Sequence, residues 1–529
     1  MISFLDYGAG NVRSVINAIE CLGEQVKIVQ NKEDILSAEK LVFPGVGNFG
    51  SMMQILHEKQ FIDPLLSYLK ANRPFLGICL GLQALFEYSE EATGISGLGF
   101  FKGSVKRFSV DLSVPHIGWN GLKIKQPSRI FTGLHGDEKF YFVHSYHVAP
   151  DDAEIFLTTT DYGYEFVSSI QRGNIIATQF HPEKSGKAGL RILQNFLNIN
   201  TSQIWPAHSL TETHLSKRII ACLDVRSNDQ GDLVVTKGDQ YNVREQGEVR
   251  NLGKPVELAK RYYEEGADEI TFLNITGFRD FPLEDMPMLD VLKQTSKHVF
   301  VPLTIGGGIR DYIDKNGKKY SALEVAAEYF RSGADKVSIG SDAVLIVEEY
   351  LKTKKATGNS AIETISKVYG NQAVVISIDP RRVYVHDPTA VPYQVISTKI
   401  AGPNGENYCW YECTIKGGRE GRPVDAITLS QLCERLGAGE ILLNCIDRDG
   451  TNLGFDLELI QAVKSAVSIP VIASSGAGCT EHFYDVFSQT KAESALAAGI
   501  FHRKEVSIGD VKIYLNGKVE VRPLTHSFS

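Results

Sequence analysis

Two segments of this chain repeat one another, and the repeat limits the fold more than any other feature. Glu265-Gly-Ala-Asp-Glu-Ile-Thr-Phe-Leu-Asn-Ile-Thr276 returns as Leu436-Gly-Ala-Gly-Glu-Ile-Leu-Leu-Asn-Cys-Ile-Asp447. Ile305-Gly-Gly-Gly-Ile-Arg310 returns as Ser474-Ser-Gly-Ala-Gly478, and Asp224 and Asp379 each close an apolar run. Spacings of 155 to 171 residues fit one four-strand unit duplicated with insertions, not a solenoid of many short units. Strands are predicted at Ile219–Leu223, Glu269–Leu273, Val301–Ile305, Lys336–Ile339, Ala373–Ile378, Glu440–Asn444, Val471–Ala473 and Ser494–Ala497. Eight strands alternating with helices imply a (β/α)₈ barrel over residues 215–529.

The first 198 residues follow a different plan. Short apolar runs at Ile2–Leu5, Val26–Val29, Lys40–Phe43 and Phe75–Ile78 alternate with amphipathic stretches, the pattern of an open α/β sheet. A strand-rich part follows from about Phe100 to Gln179. Residues 199–214 are polar and aperiodic and read as a linker.

Composition narrows the function classes. A net charge of −8 argues against nucleic acid or an anionic membrane as partner. No apolar run reaches the roughly 18 residues of a membrane span. The eight cysteines show no disulfide spacing; Cys409 and Cys413 lie on a predicted strand, Tyr408–Ile415, and no metal site is expected. Reduced thiols suit the cytoplasm. The N-terminus enters a strand at once, and a trimmed organelle-targeting peptide would leave no trace here.

The chemistry falls in two places. Cys79 lies between Gly77 and Gly81, at the junction of a buried strand and a predicted helix, Leu80–Phe86, the sequence of a nucleophile elbow. No packing need is evident for those glycines, so they are read as serving the turn. The helix N-terminus is expected to favour thiolate. His181 is a proton carrier, and Glu183 can orient its ring. In the barrel, Asp224 and Asp379 fall at the active-site ends of strands one and five, where two carboxylates can share acid and base roles. Gly306-Gly307-Gly308 and Ser475-Gly476-Ala477-Gly478 end strands three and seven, and Gly340-Ser341 and Ala498-Gly499 follow strands four and eight. Backbone N–H groups in such turns hold phosphate, so two symmetry-related nests imply an elongated bisphosphate. At the opposite end, Arg218, Glu269, Lys336 and Glu440 each begin a strand and form a charged ring, read either as a plug or as a gate.

These residues carry a resemblance. Asp6-Tyr-Gly-Ala-Gly-Asn11, Pro44-Gly-Val-Gly-Asn-Phe-Gly50, Gly77-Ile-Cys-Leu-Gly-Leu-Gln83 and Thr178-Gln-Phe-His-Pro-Glu-Lys-Ser185 are similar to the class I glutamine amidotransferases. Arg218-Ile-Ile-Ala-Cys-Leu-Asp224 and Ile446-Asp-Arg-Asp-Gly-Thr451 are similar to the cyclase of histidine biosynthesis. Together they resemble the fused imidazole glycerol phosphate synthases of fungi and plants, over nearly the whole chain. The resemblance implies that Cys79 attacks glutamine, with oxyanion donors from Leu80 and from Gly45, Val46 and Gly47. That second donor would need a peptide flip, making hydrolysis depend on the acceptor. Gln83, Ser145 and the Tyr141–Tyr146 segment would line the glutamine pocket.

In the barrel the resemblance implies ammonia addition to phosphoribulosyl-formimino-AICAR ribonucleotide (PRFAR), giving imidazole glycerol phosphate and AICAR. Asp224 and Asp379 would be the acid–base pair, Lys237 would contact substrate, and Asp449 and Gly450 would support the site. The charged ring would lie on the ammonia route, Lys184 would pair with Asp335 between the domains, and Trp119 would cover the route. No cofactor is expected, and covalent fusion suggests a monomer. Strand two ends at Asn274 where bacterial relatives commonly carry aspartate, so no acidic role is expected there. The segment Ser397–Pro423 has no assigned role. Rival readings are a glutaminase joined to another acceptor domain, a ribonucleotide-isomerising barrel, which needs no ammonia, and a scaffold with a dead glutaminase, against which the intact Cys79, His181, Glu183, Asp224 and Asp379 argue.

Overall fold

The computed structural model describes residues 1–8, 11–198, 214–230, 232–236, 244–245, 248–249, 251–275, 283 and 286–524. Most of the predicted linker, residues 199–213, and Lys237 lie outside the described residues.

The N-terminal part is built on a sheet of eight strands, in the order Val26–Ile28, Ile2–Phe4, Leu41–Gly45, Phe75–Cys79, Ile175–Thr178, Glu165–Arg172, Phe156–Asp161 and Lys123–Ile124. The first five run parallel and the last three pair antiparallel; Lys123–Ile124, Phe156–Asp161, Glu165–Arg172 and Ile175–Thr178 fall in the strand-rich stretch from Phe100 to Gln179. Every residue of Phe75–Cys79 is buried, which a near-continuous apolar run permits at the centre of a sheet covered on both faces. Its neighbours place Gly45 opposite Cys79 and Thr178 opposite Ile78, so residues about a hundred positions apart meet at one sheet end.

The second part closes into a barrel of eight parallel strands. They are Arg218–Ser227, Glu269–Asn274, Leu303–Gly306, Lys336–Ile339, Val374–Ile378, Glu440–Asn444, Val471–Ser474 and Ser494–Ala497, with the last pairing back onto the first. The first strand overruns its predicted end because it continues as a hairpin with Leu233–Thr236, which puts Asp224 opposite Thr236. After strand five, residues of Pro380–Val385, Ile396–Ser397, Tyr408–Ile415 and Glu420–Asp425 form a small antiparallel sheet. Arg382 fixes it to the barrel through Asp456, at 2.8 and 2.7 Å, and Glu458, at 3.0 Å. Arg382 and Asp456 are buried at this contact, where loss of one partner costs about 3–5 kcal/mol.

The two parts meet at the N-terminal rim of the barrel. Asn11 Nδ2 donates to Gly333 O (2.9 Å) and Asp335 Oδ1 (2.7 Å), and Trp119 Nε1 donates to Asp268 O (3.1 Å). Val114 N donates to Ser468 O at 3.1 Å, and Ser145 Oγ donates to Asn371 Oδ1 at 3.3 Å. Each of these barrel residues lies just before a strand, so the N-terminal part faces the ends where the charged residues begin. No helix among the described residues is long and apolar enough to cross a membrane.

Candidate active sites and the path between them

Cys79 takes a left-handed conformation, φ 55°, which a non-glycine residue adopts only when its surroundings enforce it. The glycines on either side enforce it through packing, contrary to the expectation that they serve the turn alone. A Cβ on Gly81 would stand 2.0 Å from Phe43 O, and one on Gly77 would stand 2.7 Å from Gly81 O. The predicted helix is also shorter than expected. It is a single turn, Leu80–Gln83, so its dipole is a small influence on the sulfur.

The charge facing that sulfur belongs to His181. Its Nδ1 lies 2.8 Å from Glu183 Oε1, and both side chains are buried. Burial pushes the imidazole pKa down, but the Glu183 carboxylate and the Cys79 sulfur outweigh it and hold the ring well above its ordinary value. Among the described residues, Nε2 of His181 makes no hydrogen bond of ordinary geometry, and it is left to the Cys79 sulfur. Gln179 Nε2 reaches the sulfur at 3.4 Å, and Gln83 Nε2 donates to Gln179 Oε1 and to Tyr146 O, each at 3.1 Å. Sequence reasoning missed Gln179, although it stands inside the His181 motif.

One pocket joins this centre to the barrel. Val46, Gly47, Leu80, Gln83, Ser145 and His181 line it beside Cys79, and Lys184, Asp335, Lys336, Gln372 and Ala373 line its far side. Glu91 also lines it, a carboxylate that no motif marked. Its Oε2 accepts from Phe49 N at 2.8 Å, and burial raises its pKa. Lys184 Nζ and Asp335 Oδ2 form an ion pair at 2.6 Å, as expected between the domains.

Behind the pocket the ring is closed. Arg218 bridges Glu269 (2.8 Å) and Glu440, and Lys336 bridges the same two carboxylates at 2.7 and 2.6 Å. Burial raises the Glu440 pKa, but Arg218 and Lys336 prevail and hold it low. Tyr141, buried between pocket and ring, has its pKa raised by burial and then by Glu269. Trp119 is buried under the guanidinium of Arg522, 4.2 Å from its ring, with Tyr141 at 5.9 Å.

At the opposite barrel face, Asp224, three residues before the end of strand one, and Asp379, just past strand five, are half-buried. Asn444 Nδ2 donates to Asp379 Oδ1 at 2.9 Å. Gly307 and Gly476 have φ of 94° and 98°, and a Cβ at either would stand within about 2.3 Å of a carbonyl oxygen. Gly308 and Gly450 are left-handed too, while Ser475 is left-handed without being glycine. Gly340 caps a helix of thirteen residues, Ser341–Thr353, but Ala498 caps one of only four, Gly499–His502. The two nests are thus less alike than the repeat suggests. Ser341 Oγ already accepts from Lys416 N at 3.2 Å, which brings the segment after strand five to the rim of the first nest. Asp449 is buried beyond strand six. Among the described residues no His, Cys, Asp or Glu cluster could hold a metal ion.

Comparison with known proteins decides the family. The class-I glutamine amidotransferase model matches residues 3–199, and the model for histidine biosynthesis proteins matches residues 218–507. The chain is 58% identical to imidazole glycerol phosphate synthase hisHF, chloroplastic, of Arabidopsis thaliana, over 99% of this chain and 89% of that protein. It is 56% identical to imidazole glycerol phosphate synthase hisHF of Schizosaccharomyces pombe, over 97% and 98% of the two chains. It is 48% identical to the separate subunit HisH of Methanocaldococcus jannaschii, which spans 38% of this chain and all of that one.

The chain belongs to the imidazole glycerol phosphate synthases. It is a bifunctional member of that family, a glutamine amidotransferase fused to a cyclase of histidine biosynthesis.

The synthase also buries histidines beside its glutamine amidotransferase pocket. His116 Nδ1 and His144 Nε2 are 3.2 Å apart, and His144 Nδ1 meets Tyr146 O at 2.7 Å. Burial pushes His116 well below the usual range and His144 down to about 3. Unfolded histidines bind protons below about pH 6.5. The folded pKa values are depressed, so this contribution to stability is present above pH 6.5 and is lost as pH falls toward about 3. The thermal midpoint should therefore fall on acidification from pH 7 to 5, less steeply in His144→Gln. Parallel slopes would show that these histidines do not set the acid limb.

Proposed function

We propose that Cys79 attacks the side-chain amide of glutamine, that His181 moves the proton between sulfur and leaving ammonia, and that Glu183 holds the ring. Leu80 N–H opens the helical turn, where backbone donors lack intrahelical partners, and serves the oxyanion with a second donor from the Gly45–Gly47 stretch. Gln83 and Ser145 border the glutamine, and Glu91 lies where it can pair with a cationic α-amino group. Ammonia then passes Tyr141 and the ring of Arg218, Glu269, Lys336 and Glu440 into the barrel. There Asp224 and Asp379 exchange protons with PRFAR as the imidazole ring closes and AICAR leaves. Gly307, Gly308, Gly340 and Ser341 hold one phosphate; Asp449, Gly450, Ser475, Gly476, Ala498 and Gly499 border the other, and Lys237 reaches the substrate. The domains are residues 1–198 and 215–529, and the chain acts as a monomer. Eight free thiols favour the cytoplasm.

The observation carrying this reading is the pocket that contains both Cys79 and Lys336. Ammonia released to water near neutral pH is protonated and no longer nucleophilic, so a nucleophile's pocket that ends on the barrel floor favours internal delivery. The test is stoichiometry. Glutamate and imidazole glycerol phosphate should appear one for one with no ammonium in the medium, whereas Lys336→Ala should leak ammonium and lower the yield per glutamate. Unchanged coupling in Lys336→Ala would make the ring a plug with no part in transfer. The same substitution leaves Glu269 and Glu440 in a buried site with Arg218 as their remaining cation among the described residues and the Thr304 hydroxyl on Glu269, so a loss of about 3–5 kcal/mol in stability should accompany it.

A further inference from the structure

Tyr7 is not a member of the Cys-His-Glu set, yet its hydroxyl holds the backbone of the pocket wall. The oxygen accepts from Val46 N at 3.0 Å and donates to Val46 O at 2.7 Å. One hydroxyl thus takes both the N–H and the C=O of Val46. The strand Leu41–Gly45 ends one residue earlier, and Gly47 follows with φ 126°. The tyrosine is buried, with its ring edge-on to Phe43 at 6.2 Å between centroids. Val46 faces the same pocket as Cys79 and Leu80.

From this we infer that Tyr7 is a positioning residue, a latch whose hydroxyl keeps the Val46 N–H away from the oxyanion until the acceptor is bound. The inference rests on the glutaminase reading above. An oxyanion gains most from donors already aimed at it, and a donor committed elsewhere contributes nothing at the transition state. While Tyr7 holds Val46, Leu80 N–H acts with one donor too few. Releasing Val46 breaks two hydrogen bonds at one atom, and the free enzyme has no compensating anion to offset that loss.

Tyr7→Phe keeps the ring against Phe43 and removes only the latch. Val46 N–H and C=O then lack a buried partner, and turning the N–H toward the developing anion becomes favourable. Glutamate release without PRFAR should rise on the order of tenfold in kcat with little change in KM, and the stimulation by PRFAR should shrink by the same factor. A merely structural tyrosine would lower kcat in both conditions. Equal basal rates in variant and wild type, or a lower basal rate in Tyr7→Phe, would overturn the latch. Ammonium-dependent synthesis measured on the same sample reports whether the barrel is folded. If wild type releases glutamate no faster with PRFAR than without, the coupled glutaminase reading fails, whatever Tyr7 does.

Discussion

Cys79→Ala should abolish glutamine-dependent synthesis and leave ammonium-dependent synthesis close to wild type. The loss should reach about 10³–10⁶ fold in kcat, because the proposed reading makes this side chain the nucleophile and its neighbours offer no replacement. Gln179 donates to the sulfur but carries only an amide, and His181 lacks an attacking partner once the sulfur is gone. Alanine is smaller and apolar and fits a position whose backbone is already set by the contacts at Gly77 and Gly81. The barrel receives ammonia from solution by mass action and does not need the first site. The measurement is loss of PRFAR absorbance with glutamine and, separately, with ammonium salt at a pH where free ammonia is plentiful. A variant that fails with both nitrogen sources would show that the two sites are not separable.

The parts of this arrangement differ in how far a sequence can disclose them. Barrel strands are short, buried and apolar, so Lys336–Ile339, Glu440–Asn444 and Ser494–Ala497 have the predicted bounds and the others shift by a few residues. The repeat exposed Asp224 and Asp379 because equivalent positions in two half-barrels have equivalent neighbours. Contacts between distant segments leave no such local trace. Gly81 against Phe43 O, Tyr7 on Val46, and Gln83 on Gln179 join residues tens of positions apart, and nothing in either segment names its partner. The helix after Cys79 is shorter than its apolar run for the same reason. Its apolar run continues to Phe86, but those side chains pack as a turn under the following loop, where Leu98 N and Gly99 N donate to Ala84 O and Phe86 O. Glu91 was invisible because a single carboxylate in a polar stretch looks like a solvated surface residue until the fold turns it inward.

Asp379→Asn separates the second site from the first in the opposite way. The substitution keeps shape and a hydrogen-bond acceptor. The amide oxygen can still take the 2.9 Å bond from Asn444 Nδ2, and the backbone carbonyl still accepts from Thr414 N at 3.1 Å. What disappears is the carboxylate to which the proposed reading gives the proton transfer. Loss of one general acid–base group costs about 10²–10⁴ fold, and synthesis should fall by that much with glutamine and with ammonium alike. Neither nitrogen source can bypass the defect, because ring closure follows ammonia addition in both cases. Binding should persist, since the glycine nests at strands three and seven do not involve this carboxylate; PRFAR should still stimulate glutamate release, now uncoupled from product. Asp224→Asn should give the same pattern from the other side of the mouth. Ammonium-dependent turnover within a few fold of wild type in either variant would remove that aspartate from proton transfer and leave it a structural cap. The contrast with Cys79→Ala is the sharper test: one substitution is rescued by ammonium and the other is not, and only two sites linked in series behave that way.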